Sequence, residues 1–204
     1  MMKKIRASKY VRMALIAAAS LGLSACVSFG AKAPPTLLIL TANTQVEKGT
    51  AKTGEASDGM IVLMPDVPRK LDTNRVPVQI DNGSIAYLKD AFWADKPARL
   101  MQTLLSETLS AKTSKLILSE VEAGGKAGSY LSGNLGEFGI DARGNQAVVV
   151  FDAVRIVRGK PLQKQRFEAR ETMNSIDPNT ASSALNKAAN TVAADVAAWI
   201  LANP

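Results

Sequence analysis

A chain of 204 residues with 25 Lys+Arg, 18 Asp+Glu, no His and one Cys carries a formal charge of +7, and 47% of its residues are apolar. This is the composition of a folding chain of about one domain. The missing His excludes a Ser-His-Asp triad, a Cys-His dyad, a His-ligated zinc and a His pH switch, and the single Cys excludes an intrachain disulfide and a Cys-rich metal site. A net positive charge raises nucleic acid or an anionic surface as a partner until the positions of the charges are known.

Much of the charge excess is local. Lys3, Lys4, Arg6, Lys9 and Arg12 precede an uncharged, mostly apolar stretch from Met13 to Ala25, and no acid occurs before Glu47. A basic n-region followed by a short apolar h-region is the layout of a secretory signal. It closes in Leu23-Ser24-Ala25-Cys26, whose small residues suit a signal peptidase. This tetrapeptide resembles the bacterial lipobox. The resemblance implies that the Cys26 thiol is joined to diacylglycerol, that the chain is cut before Cys26, and that the new amine is acylated. A thiol suits that step because its thiolate is a strong nucleophile. Two other readings stand beside it: Cys26 as an unmodified small hydrophobe, and residues 13–31 as an uncleaved membrane span. Ser20, Gly22, Ser24, Ser28 and Gly30 dilute such a span. Removal of residues 1–25 takes five basic residues away and leaves 20 against 18 acids, a net of +2. The mature chain is then nearly balanced, and nucleic acid is not expected as a partner.

Residues 26–35 read as a short tether, stiffened at its end by Pro34-Pro35 and placing the domain of residues 36–204 near the lipid surface. Thr36–Thr41 (TLLILT) reads as a buried strand, 42–59 as a polar exposed loop, and Met60–Met64 as a second short strand stopped by Pro65. Val76–Ile80 and Ser84–Leu88 flank Asp81-Asn82-Gly83 and predict a hairpin, because Asn-Gly tolerates φ > 0. Asp95 and Pro97 suit a helix start, with Asp95 as cap, and Leu100, Met101, Leu104, Leu105 and Leu109 follow at helical spacing. Leu116–Val121 reads as a strand and 124–128 as a loop. Tyr130–Asp141, Gln146–Val157 and Leu162–Asn174 form an antiparallel meander, with Ala147–Phe151 central and Lys164–Glu171 at a charged edge. A helix starting at Asp177-Pro178 or Thr180 closes the chain. Its apolar face is Leu185, Ala188, Ala189, Val192, Val196, Trp199 and Ile200, and its polar face is Asn186, Lys187, Asn190 and Asp195. The order predicts an α/β fold, a mixed β-sheet flanked by two main helices.

Catalytic signals are weak. Gly124-Gly125-Lys126-Ala127-Gly128 lacks the spacing of a phosphate loop, and Gly133, Gly136 and Gly139 suggest bulges or bends. Glu120 and Glu122 would share one strand face by period two. As a pair they would suit acid–base work or a hard cation, although a solvated strand end explains them better. No residue is assigned a catalytic, cofactor or metal role. Tyr87, Phe92 and Trp93 cluster beside the first helix start, as a docking platform or as a core corner where the helix meets the sheet.

The order Leu71-Asp72-Thr73-Asn74-Arg75-Val76, Ile85-Ala86-Tyr87-Leu88, Phe92-Trp93-Ala94-Asp95 and the following Leu-rich helix resembles the ABC-type transport auxiliary lipoprotein family, which includes PqiC-like auxiliary components. The meander and the apolar C-terminal helix continue that resemblance over most of residues 36–202. Where the familiar pattern has Trp-Ala-Glu-Pro, this chain has Trp93-Ala94-Asp95-Lys96-Pro97. The resemblance implies a fold similar to anticodon-binding-like domains. It also implies a non-enzymatic, periplasm-facing lipoprotein that works with an Mce-domain protein and an ABC permease and ATPase in moving lipid or a hydrophobic solute, and it allows a homo-oligomer. Val27 after Cys26, in place of Asp, favours the outer membrane over the inner by the familiar sorting rule. The rival expectations are an independent envelope-binding lipoprotein that regulates a cell-wall synthase, and a small hydrolase built on Glu120 and Glu122.

Overall fold

The computed structural model describes residues 37–203. The signal and lipobox positions, including Leu23, Ser24, Ala25 and Cys26, and the tether lie outside the described residues. The described residues lie within one compact unit.

Eight strands make one mixed sheet: β1 Leu37–Leu38, β2 Met60–Val62, β3 Arg75–Gln79, β4 Ile85–Trp93, β5 Ile117–Leu118, β6 Ser129–Asp141, β7 Gln146–Val157 and β8 Gln163–Thr172. Among the described residues three α-helices accompany them: α1 Pro97–Lys112, the single turn α2 Glu120–Ala123, and α3 Pro178–Ala202. The long strand β6 organises the rest. One edge carries β7 along its length, antiparallel, and β8 lies beyond β7. The other edge is shared by two short parallel strands, β2 against Ser129–Leu131 and β3 against Ile140–Asp141. Between them Asp66 bridges to Asn134, and the Asp66 carbonyl accepts from the Leu135 N–H. A bulge between Leu135 and Glu137 bends β6 where this edge changes partner. From there the sheet forks into a β2–β5 wing and a β3–β4–β1 wing.

The two long helices pack on each other and on one face of the sheet. Their inward residues, Met101, Leu104, Leu105 and Leu109 of α1 and Leu185, Ala188, Ala189, Val192, Val196 and Ile200 of α3, meet Leu131, Leu135, Phe138, Val149 and Phe151 of the sheet in one core. The alternation along β7 is the physical cause. Val149, Phe151 and Ala153 are buried, while Val150, Asp152 and Val154 point to the other, half-exposed face. Among the described residues that other face is covered only locally, where Ala123 and Ala127 pack on Ile61 beside Tyr130.

Several expectations are corrected. The 36–41 run is not a buried strand. Only Leu37–Leu38 pairs, at a sheet edge against β4, with Leu38 turned inward and Leu37 and Ile39 exposed. The 81–83 turn does not use positive φ. The Asp81 carboxylate closes it by accepting from the Gly83 and Ser84 N–H groups and the Ser84 hydroxyl. The α1 cap is Lys96 rather than Asp95, whose carboxylate instead accepts from the Lys96 N–H and pairs with Arg99 one turn on. The strand at 116–121 is two residues long. Ser119 then opens α2 through a capping box with Glu122. Asn190 is buried, not part of a solvated face. At the start of α3, Asp177 is the cap and Pro178 the first helical residue.

Candidate functional site

With helices on one face of the sheet, the uncovered face is the surface available to a partner. Its character changes across the strands. On β7 and β8 it is charged: Arg166 donates two hydrogen bonds of 2.8 Å to the Asp152 carboxylate, and Arg170 pairs with Glu168 at 2.6 Å. The Arg166 guanidinium holds the Asp152 carboxyl below the usual carboxylate range.

Where β3, β4 and β6 meet, the face forms a groove of about 220 Å³ bordered by Lys70, Ile85, Glu137, Asp141, Arg143 and Arg170. Its charges are internally matched. Lys70 meets both Glu137 oxygens at 2.6 Å, and Arg143 forks onto Asp141 with contacts of 2.9 and 2.7 Å. The Arg143 hydrogen bonds lower the Asp141 carboxyl, and Asp141 in turn raises Arg143. Three cations and three carboxylates, counting Asp81, leave this groove without an excess of either sign. With its charges balanced, the groove offers no net positive field to draw a small anion.

On β1, β4 and β3 the same face is apolar and aromatic. The predicted cluster divides here. Trp93 is fully buried, with its ring 5.1 Å from that of Phe138. Tyr87 and Phe92 are half-buried on the opposite side of β4. The Arg75 guanidinium lies 4.4 Å above the Tyr87 ring, and the Tyr87 hydroxyl donates to the Lys70 carbonyl. Leu37 and Arg75, both paired with Phe92, complete this patch, and the exposed Ile39 follows just past the paired residues of β1. Reading the sequence missed them, because an unbroken apolar run such as 36–41 carries no alternation to mark an exposed side.

The proposed carboxylate pair is not formed. Glu122 is committed to the capping box, its Oε2 accepting from the Ser119 N–H and hydroxyl at 2.8 Å, and these bonds lower its pKa. Glu120 lies two positions earlier on the same helical turn, where neighbours at that spacing do not face each other. Among the described residues no group of three His, Cys, Asp or Glu is placed to hold a metal, and no helix is long and apolar enough to cross a membrane.

A family model described as the ABC-type transport auxiliary lipoprotein component matches residues 40–197. Among solved structures, a Xanthomonas campestris protein of the DUF330 family is similar at a TM-score of 0.67 and 16% identity, covering 82% of this chain and 95% of that one. An uncharacterized protein follows at a TM-score of 0.60 and 16% identity, covering 74% of this chain and 96% of its own. These likenesses establish the fold. No curated protein matches the chain.

Proposed function

The chain belongs to the ABC-type transport auxiliary lipoprotein component family, and from that premise we propose that it is a lipid-anchored, periplasm-facing auxiliary of an Mce-type ABC transporter that moves lipid or another hydrophobic solute. The family match over residues 40–197 carries this reading. The family is described as a transport auxiliary lipoprotein component, and in this reading the chain acts without catalysis. In this reading Leu23-Ser24-Ala25 directs cleavage, Cys26 holds the acyl chains, and the protein faces the periplasm from the outer membrane. Two or three acyl chains suffice for stable attachment, at about 0.8 kcal/mol per buried CH₂.

The charged rows of β7 and β8, with the groove beside them, serve as the surface for the Mce-domain protein or the permease. Mixed, paired charge gives orientation and partner choice more than raw affinity. The test is a photocrosslinking residue in place of Arg166, activated in cells. Capture of an Mce-domain or permease subunit supports the reading. Capture of a cell-wall synthase alone supports an independent envelope regulator instead, and no protein adduct removes the docking role of this surface.

A further inference from the structure

The apolar end of the open face is a surface of a different kind, and it lies where the tether enters the domain. Leu37 pairs directly with Phe92, Phe92 with Arg75, and Tyr87 with Pro77. Directly paired residues present their side chains on the same face, so Leu37, Phe92 and Arg75 share one side of the β1–β4–β3 edge, and Tyr87 joins them through the guanidinium stacked on its ring. Ile39, just past the paired residues, borders the cleft between this edge and Asn179, Ser182 and Asn186 of α3. Leu37 is 56% and Ile39 58% exposed. Arg75 forms no ion pair among the described residues, and its guanidinium rests on the Tyr87 ring. The opposite edge, β8, is lined with paired charges instead.

We propose that this edge lies on the lipid surface to which the chain is anchored, with Leu37 and Ile39 entering the headgroup layer and Tyr87 and Arg75 at its level. The proposal rests on acylation of Cys26. From Cys26 to Leu37 is 11 residues, so the chain can carry Leu37 no farther than about 40 Å from the acylated residue. An apolar corner at the very entry of a short tether is thus held beside the bilayer. Its chemistry suits that place. Aliphatic tips gain by leaving water, Tyr is amphipathic and favours the interface, and Arg extends a cation on an apolar stem. A guanidinium without a carboxylate is free to meet lipid phosphate. An added β-strand is a poorer occupant, because β1 offers a ladder of only two residues.

The test uses full-length, acylated protein in vesicles of phosphatidylethanolamine and phosphatidylglycerol. Acylation consumes the only native thiol, so Ile39→Cys carries a single polarity-sensitive fluorophore. Val121→Cys, at a position 90% exposed on α2, is the control. The expected result is a blue shift at position 39 and loss of most of its emission to brominated lipid, with position 121 unchanged. If the protein floats with the vesicles and position 39 stays unquenched, this inference is overturned while the anchor stands. A blue shift without bromine quenching means that a second copy covers the patch, and equal quenching at both positions means that no face is selected. Either result also overturns it. Protein that does not float overturns the anchor and the inference together.

Discussion

Replacing Asn190 by Ala removes a clamp between α3 and the segment that follows β1. The Asn190 side chain, 7% exposed, accepts from the Asn43 N–H at 2.7 Å and donates to the Thr41 and Asn186 carbonyls at 2.9 Å. The Asn43 and Thr41 groups lie nearly 150 residues away in sequence, so no local element replaces the clamp. Two backbone groups would lose their partners. A dry orphan costs about 1–3 kcal/mol, but Thr41 and Asn43 are exposed enough for water to replace part of each bond. The loss should therefore total about 1–3 kcal/mol. With a urea slope of roughly 2 kcal/mol/M for a domain of this size, the unfolding midpoint falls by about 0.5–1.5 M. Asn190→Asp keeps an acceptor for Asn43 but sets a carboxylate oxygen against the Thr41 carbonyl, so it should cost at least as much. A loss below about 0.5 kcal/mol for Asn190→Ala, the size of an ordinary surface change, would refute the clamp.

Two glycines of β6 should respond unequally to Ala. In Gly139→Ala the new Cβ would lie 2.4 Å from the Pro77 carbonyl oxygen, whereas at Gly136 the nearest atom is 3.6 Å away. Thermal or urea unfolding should show a loss of about 1–3 kcal/mol for the first and little for the second; equal stability would contradict the close approach of β3 to β6. Asp177, the α3 cap, has its pKa lowered to about 2 by hydrogen bonds from Ser175 and Thr180. A folded pKa below the unfolded value stabilises above the unfolded pKa, so this contribution is present above about pH 4 and disappears as the pH falls towards 2. Asp177→Asn should flatten the acid limb of a stability–pH curve in that window, and an unaltered slope would remove the assignment. Lys52 donates to the Ser110 carbonyl in the last turn of α1 and to the Thr113 and Lys115 carbonyls just beyond it. Lys52→Met should speed proteolytic cutting within residues 45–55, read by mass spectrometry, and an unchanged cutting rate would show that the ammonium does not fasten this loop.

The meander and the C-terminal helix were legible because their patterns are long and local. The predicted Gln146–Val157 strand is β7 residue for residue, since its apolar run ends at clear turn signals on both sides. Short elements were harder. Ser119-Glu120-Val121-Glu122 carries a capping-box spacing, yet the apolar residues before it suggested one continuous strand, and the helical turn was missed. The polar pair Lys89-Asp90 hid the continuity of β4, which passes through Asp90 at a φ of 57°. The fork at β6 has no local signal, because it depends on two separate segments competing for one edge. Asn190 was misplaced for a similar reason, as its burial is caused by residues far away in the chain. On the open face, Tyr87 and Phe92 stood out as aromatics, but the separation of Trp93 from them follows from strand alternation around the β4 irregularity.

The most direct test of the transport role is affinity purification of the acylated chain from crosslinked envelopes, with mass spectrometry of what comes with it. The account predicts an Mce-domain protein together with the permease and ATPase of one transporter. Recovery of an acylated, envelope-bound chain without any transporter subunit would contradict it.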